Sequence, residues 1–222
     1  MRSLVLKFAV SLVALTGPAR SQCQDFTPNF GPGSGFGGTA EAMLSFDDGS
    51  GTKLYVGGMS VRRWNGAAWQ NLGNAAGPTL VECLAAYDSG GGAQLYVGGG
   101  FSLIGGVSAS NVARWDGAAW HPLGLGVNGR VRDMLVFDDG SGAKLYCTGS
   151  FASAGGQTAM RVARWDGTAW TPLGSLLSNV FGQELEVFDS GFGPQVHALF
   201  QGPQALKGRD GTTWRTLGGY EQ

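Results

Sequence analysis

Histidine is almost missing from this chain of 222 residues, which has only His121 and His197. Two imidazoles leave little material for a histidine-based metal centre or for a nucleophile paired with a histidine base. Cysteine is scarce too: Cys23, Cys83 and Cys147 stand alone, with no CxxC or Cys/His spacing that would mark zinc. Charged residues make up 14%, the net charge is −1, and Lys and Arg form no cluster in the sequence. Nucleic acid and anionic membrane surfaces, which need a concentrated positive patch, are therefore not expected partners. Neither GxSxG nor HExxH occurs. After residue 21 no stretch has a 3.6-residue apolar period of helical length, which argues against a helical fold.

What the chain does contain is 40 glycines, 43% apolar residues and seven tryptophans, too apolar a mixture for disorder. Residues 1–21 read as an export signal. Arg2 and Lys7 precede an apolar run from Phe8 to Thr16, and Ala19 and Ser21 supply small residues for cleavage before Gln22. The run is far too short to span a bilayer. A secreted protein, extracellular or on a cell surface, is the expectation, with no lipid anchor at Cys23. In that oxidising compartment Cys83 and Cys147 have two readings, as small buried side chains or as a disulfide with each other.

The informative feature is a phrase written four times. Aligned on Phe-Asp or Tyr-Asp, the copies read AMLSFDDGSGTKLYVGG from Ala42, CLAAYDSGGGAQLYVGG from Cys83, DMLVFDDGSGAKLYCTG from Asp133 and ELEVFDSGFGPQVHALF from Glu184. SVRRWNGAAWQNLG, NVARWDGAAWHPLG and RVARWDGTAWTPLG follow the first three, and KGRDGTTWRTLG follows the last. The starts lie 41, 50 and 51 residues apart. The first interval is short because copy one passes from Met59 directly to its next strand, where copy two inserts GFSLIGGVSAS.

Each copy predicts four strands; in the third these are Val131 to Phe137, Lys144 to Gly149, Arg161 to Trp165 and Thr168 to Leu173. Asn65-Gly66, Asp116-Gly117, Asp166-Gly167 and Asp210-Gly211 predict two-residue type I′ hairpin turns. That geometry pairs Trp165 with Thr168 and Ala163 with Trp170, placing the two tryptophans diagonally on one face as packing residues. A sheet of some fifty residues cannot bury two faces alone, so the expectation is an all-β array of four four-stranded sheets stacked radially, a β-propeller, incomplete or open. The segments are an N-terminal piece 22–39, with an orphan strand at Phe26 to Phe30, then repeats 40–80, 81–130, 131–181 and 182–222.

LYVGG, a loop with Phe101 and Gly105-Gly106, and then ARWDGAAW resemble the kelch repeat. More closely, GSFASAGG followed by RVARWDGTAW is similar to a kelch-like repeat of secreted bacterial proteins and of a fungal bud-site-marker family. The resemblance covers residues 40–222. It departs from standard kelch in its Asp-Gly turns and in copy four, which lacks the Gly pair and the first Trp. It implies the propeller fold; members include adaptors, matrix or surface proteins and copper radical oxidases, and the histidines of the last are missing here.

No catalytic, cofactor or metal residue is assigned. Gly33 to Gly38 match GxGxxG without the strand-to-helix context that would give it meaning. Asp47, Asp48, Asp88, Asp138, Asp139 and Asp189, with Asp116, Asp166 and Asp210, make one rim acidic; they are read as turn formers, with calcium the alternative. The opposite rim carries the variable connections at residues 71–80, 100–110, 124–130, 150–160, 174–182 and 202–207, where a protein or glycan partner is expected to bind. The leading expectation is a non-catalytic binding or surface-structural module, with self-association through exposed sheet edges and faces. The alternative is an extracellular carbohydrate-active hydrolase using Glu82, Asp133 and Glu184 near the axis.

Overall fold

The computed structural model describes residues 39–173, 181–189, 191, 193–201, 206–209 and 214–218. The export-signal reading, Cys23, the GxGxxG match, the orphan strand, the Asp210-Gly211 turn and much of the loops at 174–182 and 202–207 lie outside them.

Among the described residues the chain is all β, with no helix. In chain order the strands are β1 (Ala40–Asp47), β2 (Thr52–Gly58), β3 (Ser60–Trp64), β4 (Trp69–Ala76), β5 (Val81–Asp88), β6 (Ala93–Gly99), β7 (Leu103–Ile104), β8 (Val107–Ser108), β9 (Val112–Trp115) and β10 (Trp120–Pro122). They continue as β11 (Val131–Asp138), β12 (Ala143–Gly149), β13 (Ser153–Ala154), β14 (Gln157–Thr158), β15 (Val162–Trp165), β16 (Trp170–Pro172), β17 (Gly182–Asp189), β18 (Pro194–Phe200), β19 (Leu206–Arg209) and β20 (Trp214–Gly218). Four antiparallel sheets result: β1-β2-β3-β4, β5-β6-β9-β10, β11-β12-β15-β16 and β17-β18-β19-β20. Their leading strands pack in sequence, β1 on β5, β5 on β11 and β11 on β17. The arrangement is propeller-like; among the described residues β17 makes no comparable contact with β1.

Alternation along the leading strands decides which interface each side chain enters. Leu44 of the first sheet and Leu84 of the second share one buried cluster, Ala85 and Met134 the next, and Leu135 and Leu185 the third. Glycines at the end of the second strand let the sheets close up. A Cβ on Gly57 would lie 2.8 Å from Val81 Cγ1, and one on Gly98 would lie 2.8 Å from Val131 Cγ1. At the third interface the sizes are exchanged: Thr148 stands where the others have Gly, and it faces Gly182, where the others have Val.

The hairpin expectation needs correction. Asp116 and Asp166 open four-residue loops in which the aspartate amide donates to the carbonyl of Ala119 or Ala169. The carboxylate of Asp166 accepts from the amides of Thr168 and Ala169, both at 2.8 Å. Only the glycine, Gly117 or Gly167, has positive φ. The aspartate side chain closes the turn itself, so the two-residue geometry is not adopted. Trp165 therefore pairs directly with Trp170, not diagonally, and Ala163 pairs with Pro172. The two rings lie 5.3 Å apart, as do Trp115 and Trp120.

Type I′ turns occur elsewhere, at Gly105-Gly106 (φ 55° and 84°) and Gly155-Gly156 (φ 58° and 81°). They close the β7-β8 and β13-β14 hairpins, inside stretches expected to be irregular loops. Each hairpin reaches back to the preceding sheet: β7 pairs with β4, and Ala154 bridges to Val127. That pairing carries β4 through Ala76, into residues expected to be loop. In sheets two and three the equivalent strand ends at Pro122 and Pro172, where Asn71 stands in the first; proline has no N–H for the ladder.

The fourth strand's tryptophan also reaches back. Trp120 Nε1 donates to the Leu72 carbonyl (2.7 Å), Trp170 to Leu123 (2.9 Å) and Trp214 to Leu173 (2.6 Å). The recurring WxxLG phrase is a linkage between copies: the Trp of one copy donates to the Leu carbonyl of the copy before.

Candidate functional site

All four leading strands carry a β-bulge one residue after their start, which puts Glu41, Glu82, Arg132 and Gln183 at equivalent places on the loop-bearing rim. A bulge re-aims a side chain out of the regular alternation, and here it turns polar groups towards neighbouring strands. Arg132 Nη1 donates to Gln183 Oε1 at 2.9 Å, joining the third and fourth sheets. Arg130, two residues earlier, donates through Nε to the Glu82 carboxylate at 2.6 Å, joining the third to the second.

Phe181 precedes β17 and remains 40% exposed. Two guanidinium groups lie over its ring, Arg132 at 5.9 Å and Arg161 at 5.4 Å from the centroid. Burial, and the charge of Arg130 nearby, lower the pKa of Arg132, and its Nε is enclosed without a hydrogen-bond partner. Arg161 has φ of 72°, and Nη1 holds the carbonyls of Ser150 (2.8 Å) and Phe151 (3.1 Å). The equivalent residue of the second sheet, Asn111, has φ of 66°. Asparagine tolerates that region, whereas arginine there carries strain, a feature that concentrates at functional positions. Exposed Met59, Leu103 and Leu125, the last at 73%, lie on the same rim.

In the sequence, only the closely spaced Arg130 and Arg132 hint at this basic group. Arg161 stands 31 positions after Arg130, just before β15, and only the packing of the third sheet brings it to Phe181.

The three carboxylates singled out as acid/base candidates are not equivalent. Glu82 is a bulge residue tied to Arg130. Asp133 accepts the Leu185 amide at 2.8 Å and so links the third sheet to the fourth. Glu184 of β17 lies on the outward face of the fourth sheet, paired with Leu199 of β18. His121 and His197 belong to β10 and β18; the first pairs with Asp116 at 2.6 Å, and the second is buried with Nδ1 donating to the Gln195 carbonyl.

On the acidic rim the carboxylates serve their own turns. Asp47 Oδ1 accepts the amides of Gly49 (2.8 Å) and Gly51 (2.9 Å), and Asp88, Asp138 and Asp189 repeat the pair. Asp48 and Asp139 do more. Asp48 accepts Tyr55 Oη and Arg63 Nη1, both at 2.8 Å, and Asp139 accepts Arg164 Nη1 at 2.7 Å. Burial would raise Asp48, but hydrogen bonds from Ser50, Tyr55 and Lys53 outweigh it and hold the carboxyl well below its usual range. The Ser141 hydroxyl, aided by Arg164, holds Asp139 at about 2. Asp116 is also held at about 2, by the amides of Ala119 and Ala118 and by His121.

Carboxyls depressed in the folded state stabilise it above their unfolded pKa, near 4, and lose that contribution as pH falls through the folded value. Urea midpoints are therefore expected to hold from pH 7 to about 5 and to fall between about pH 4 and 2. Asp139→Asn should show a shallower fall; an identical acid profile would count against the assignment.

Cys83 and Cys147 are both buried free thiols, and burial pushes both pKa values up. The reading as small buried side chains describes them, and no disulfide joins them.

Comparison with family models, with curated proteins and with solved structures found no significant match.

Proposed function

We propose that the chain is a secreted, non-catalytic binding module of kelch-like propeller architecture, and that its loop-bearing rim captures an acidic protein partner. The observation that carries this reading is the convergence of Arg132 and Arg161 over exposed Phe181, with Arg130 near Arg132. Arginine and aromatic side chains dominate the energetics of protein interfaces, and arginine pairs bidentately with carboxylates. Met59, Leu103 and Leu125 add apolar anchors on the same rim that suit a protein surface better than a sugar's hydroxyls.

The test uses an immobilised chain and an array of acidic, neutral and basic peptides beside acidic glycans. Acidic peptides should bind, with an affinity that falls as salt rises. Arg161→Asn should abolish most of that binding while leaving the unfolding free energy from urea titration within about 1 kcal/mol of wild type, since asparagine already serves at position 111. Binding of glycans alone would assign the rim to sugars; binding unaffected by Arg161→Asn would remove the rim from consideration.

A further inference from the structure

The two outer faces of the array differ from the inner ones in a matched way. At the three internal interfaces, one residue at the end of the second strand meets one at the start of the next leading strand, and their sizes trade off as Gly57 with Val81, Gly98 with Val131 and Thr148 with Gly182. Among the described residues the members of this series without an opposite number are Leu199 on the fourth sheet and Ala40 on the first, again one large and one small. Leu199 is 39% exposed and Ala40 is exposed.

Charge follows the same rule. Leu44, Ala85 and Leu135 point forward to the next sheet, and the fourth sheet has exposed Glu186 in their place. Ala113 and Ala163, fully buried, point back to the preceding sheet, and the first sheet has Arg62 there. Leu44 and Ala113 share one core cluster, and Ala85 and Ala163 share the next, so these positions enter one core at each of the first two interfaces. Met43 supplies an apolar contact: it is 37% exposed, whereas its counterparts Leu84, Met134 and Leu185 are at most 5% exposed.

We propose that the outward face of the fourth sheet docks on the outward face of the first sheet of a second copy, continuing the stacking that joins the sheets within one chain. Two copies joined this way at both ends form a cyclic dimer of eight sheets, a number within the range of propeller rings. The contact is heterologous, and closure at two copies prevents it from propagating into a fibre.

The experiment is sedimentation velocity on the full chain from 0.1 to about 50 µM. Wild type should sediment at twice the 23.0 kDa chain mass. Ala40→Val should weaken the dimer about ten- to a hundredfold by setting two large side chains against each other. Adding Leu199→Gly to Ala40→Val recreates the Gly-Val pairing of the first two interfaces and should restore the dimer. Glu186→Arg should also dissociate it, and Glu186→Arg with Arg62→Glu should recover it. Circular dichroism on each variant separates lost association from lost fold. A compact wild-type monomer at 50 µM, open-ended higher assemblies, or a dimer indifferent to Ala40→Val and Glu186→Arg would each overturn the proposal.

Discussion

Trp170→Ala is expected to lower the unfolding free energy by about 3 to 5 kcal/mol, the largest effect of any single truncation in the third sheet. Trp170 is buried against Trp165 and belongs to the cluster that joins the second and third sheets. Its removal opens a cavity and also takes one of two donors from the Leu123 carbonyl, which keeps the Gly126 amide at 2.9 Å. Trp170→Phe separates the two contributions: a ring remains, but the carbonyl loses the indole donor, a hydrogen bond worth about 0.5 to 1.5 kcal/mol. Denaturation midpoints equal to wild type for both variants would show that the copies are not linked through this residue.

Gly182→Val is expected to be nearly as damaging, for the opposite reason. A Cβ at Gly182 would lie 1.8 Å from Thr148 Oγ1 and 2.9 Å from the Gly149 amide nitrogen, so the fourth sheet must shift away from the third. Overpacking of this kind costs about 1 to 3 kcal/mol or more. The chain contains its own remedy, because valine at this position faces glycine at the first two interfaces. Thr148→Gly combined with Gly182→Val should recover most of the loss, and a double-mutant cycle should return a coupling of at least about 1 kcal/mol. A double variant no more stable than Gly182→Val alone would mean that the size exchange is not what fits these sheets together.

The four-sheet division was legible because the repeat spacing and the Gly-bounded strand runs act locally, within some fifty residues. The turn at Asp166-Gly167 was misassigned for a local reason as well. The dipeptide rule considers backbone φ, whereas the Asp166 carboxylate satisfies two amides and so favours a longer loop. The hairpins at Gly105-Gly106 and Gly155-Gly156 escaped notice because two-residue strands show no alternation; Gly105 and Gly155 are also required by the approach of Trp120 and Trp170 to the backbone. The exchange of Thr148 with Gly182 joins residues of β12 and β17, and the meeting of Arg161 with Phe181 joins the residues just before β15 and β17. Neither pattern has a period in the sequence, and both become readable only once the register of each sheet is known.

The tryptophan donors all point one way. Each is on the later copy and reaches an acceptor on the earlier one, and the β7-β8 and β13-β14 hairpins clasp in the same direction. During synthesis the acceptor sheet leaves the ribosome first. Every new sheet therefore emerges next to a template that already holds the acceptors for its tryptophan and its hairpin, and assembly from the N-terminal side suits translation that is slow relative to sheet formation. A ribosome-stalled chain ending after Pro172 should already hold its first two sheets in protease-resistant form.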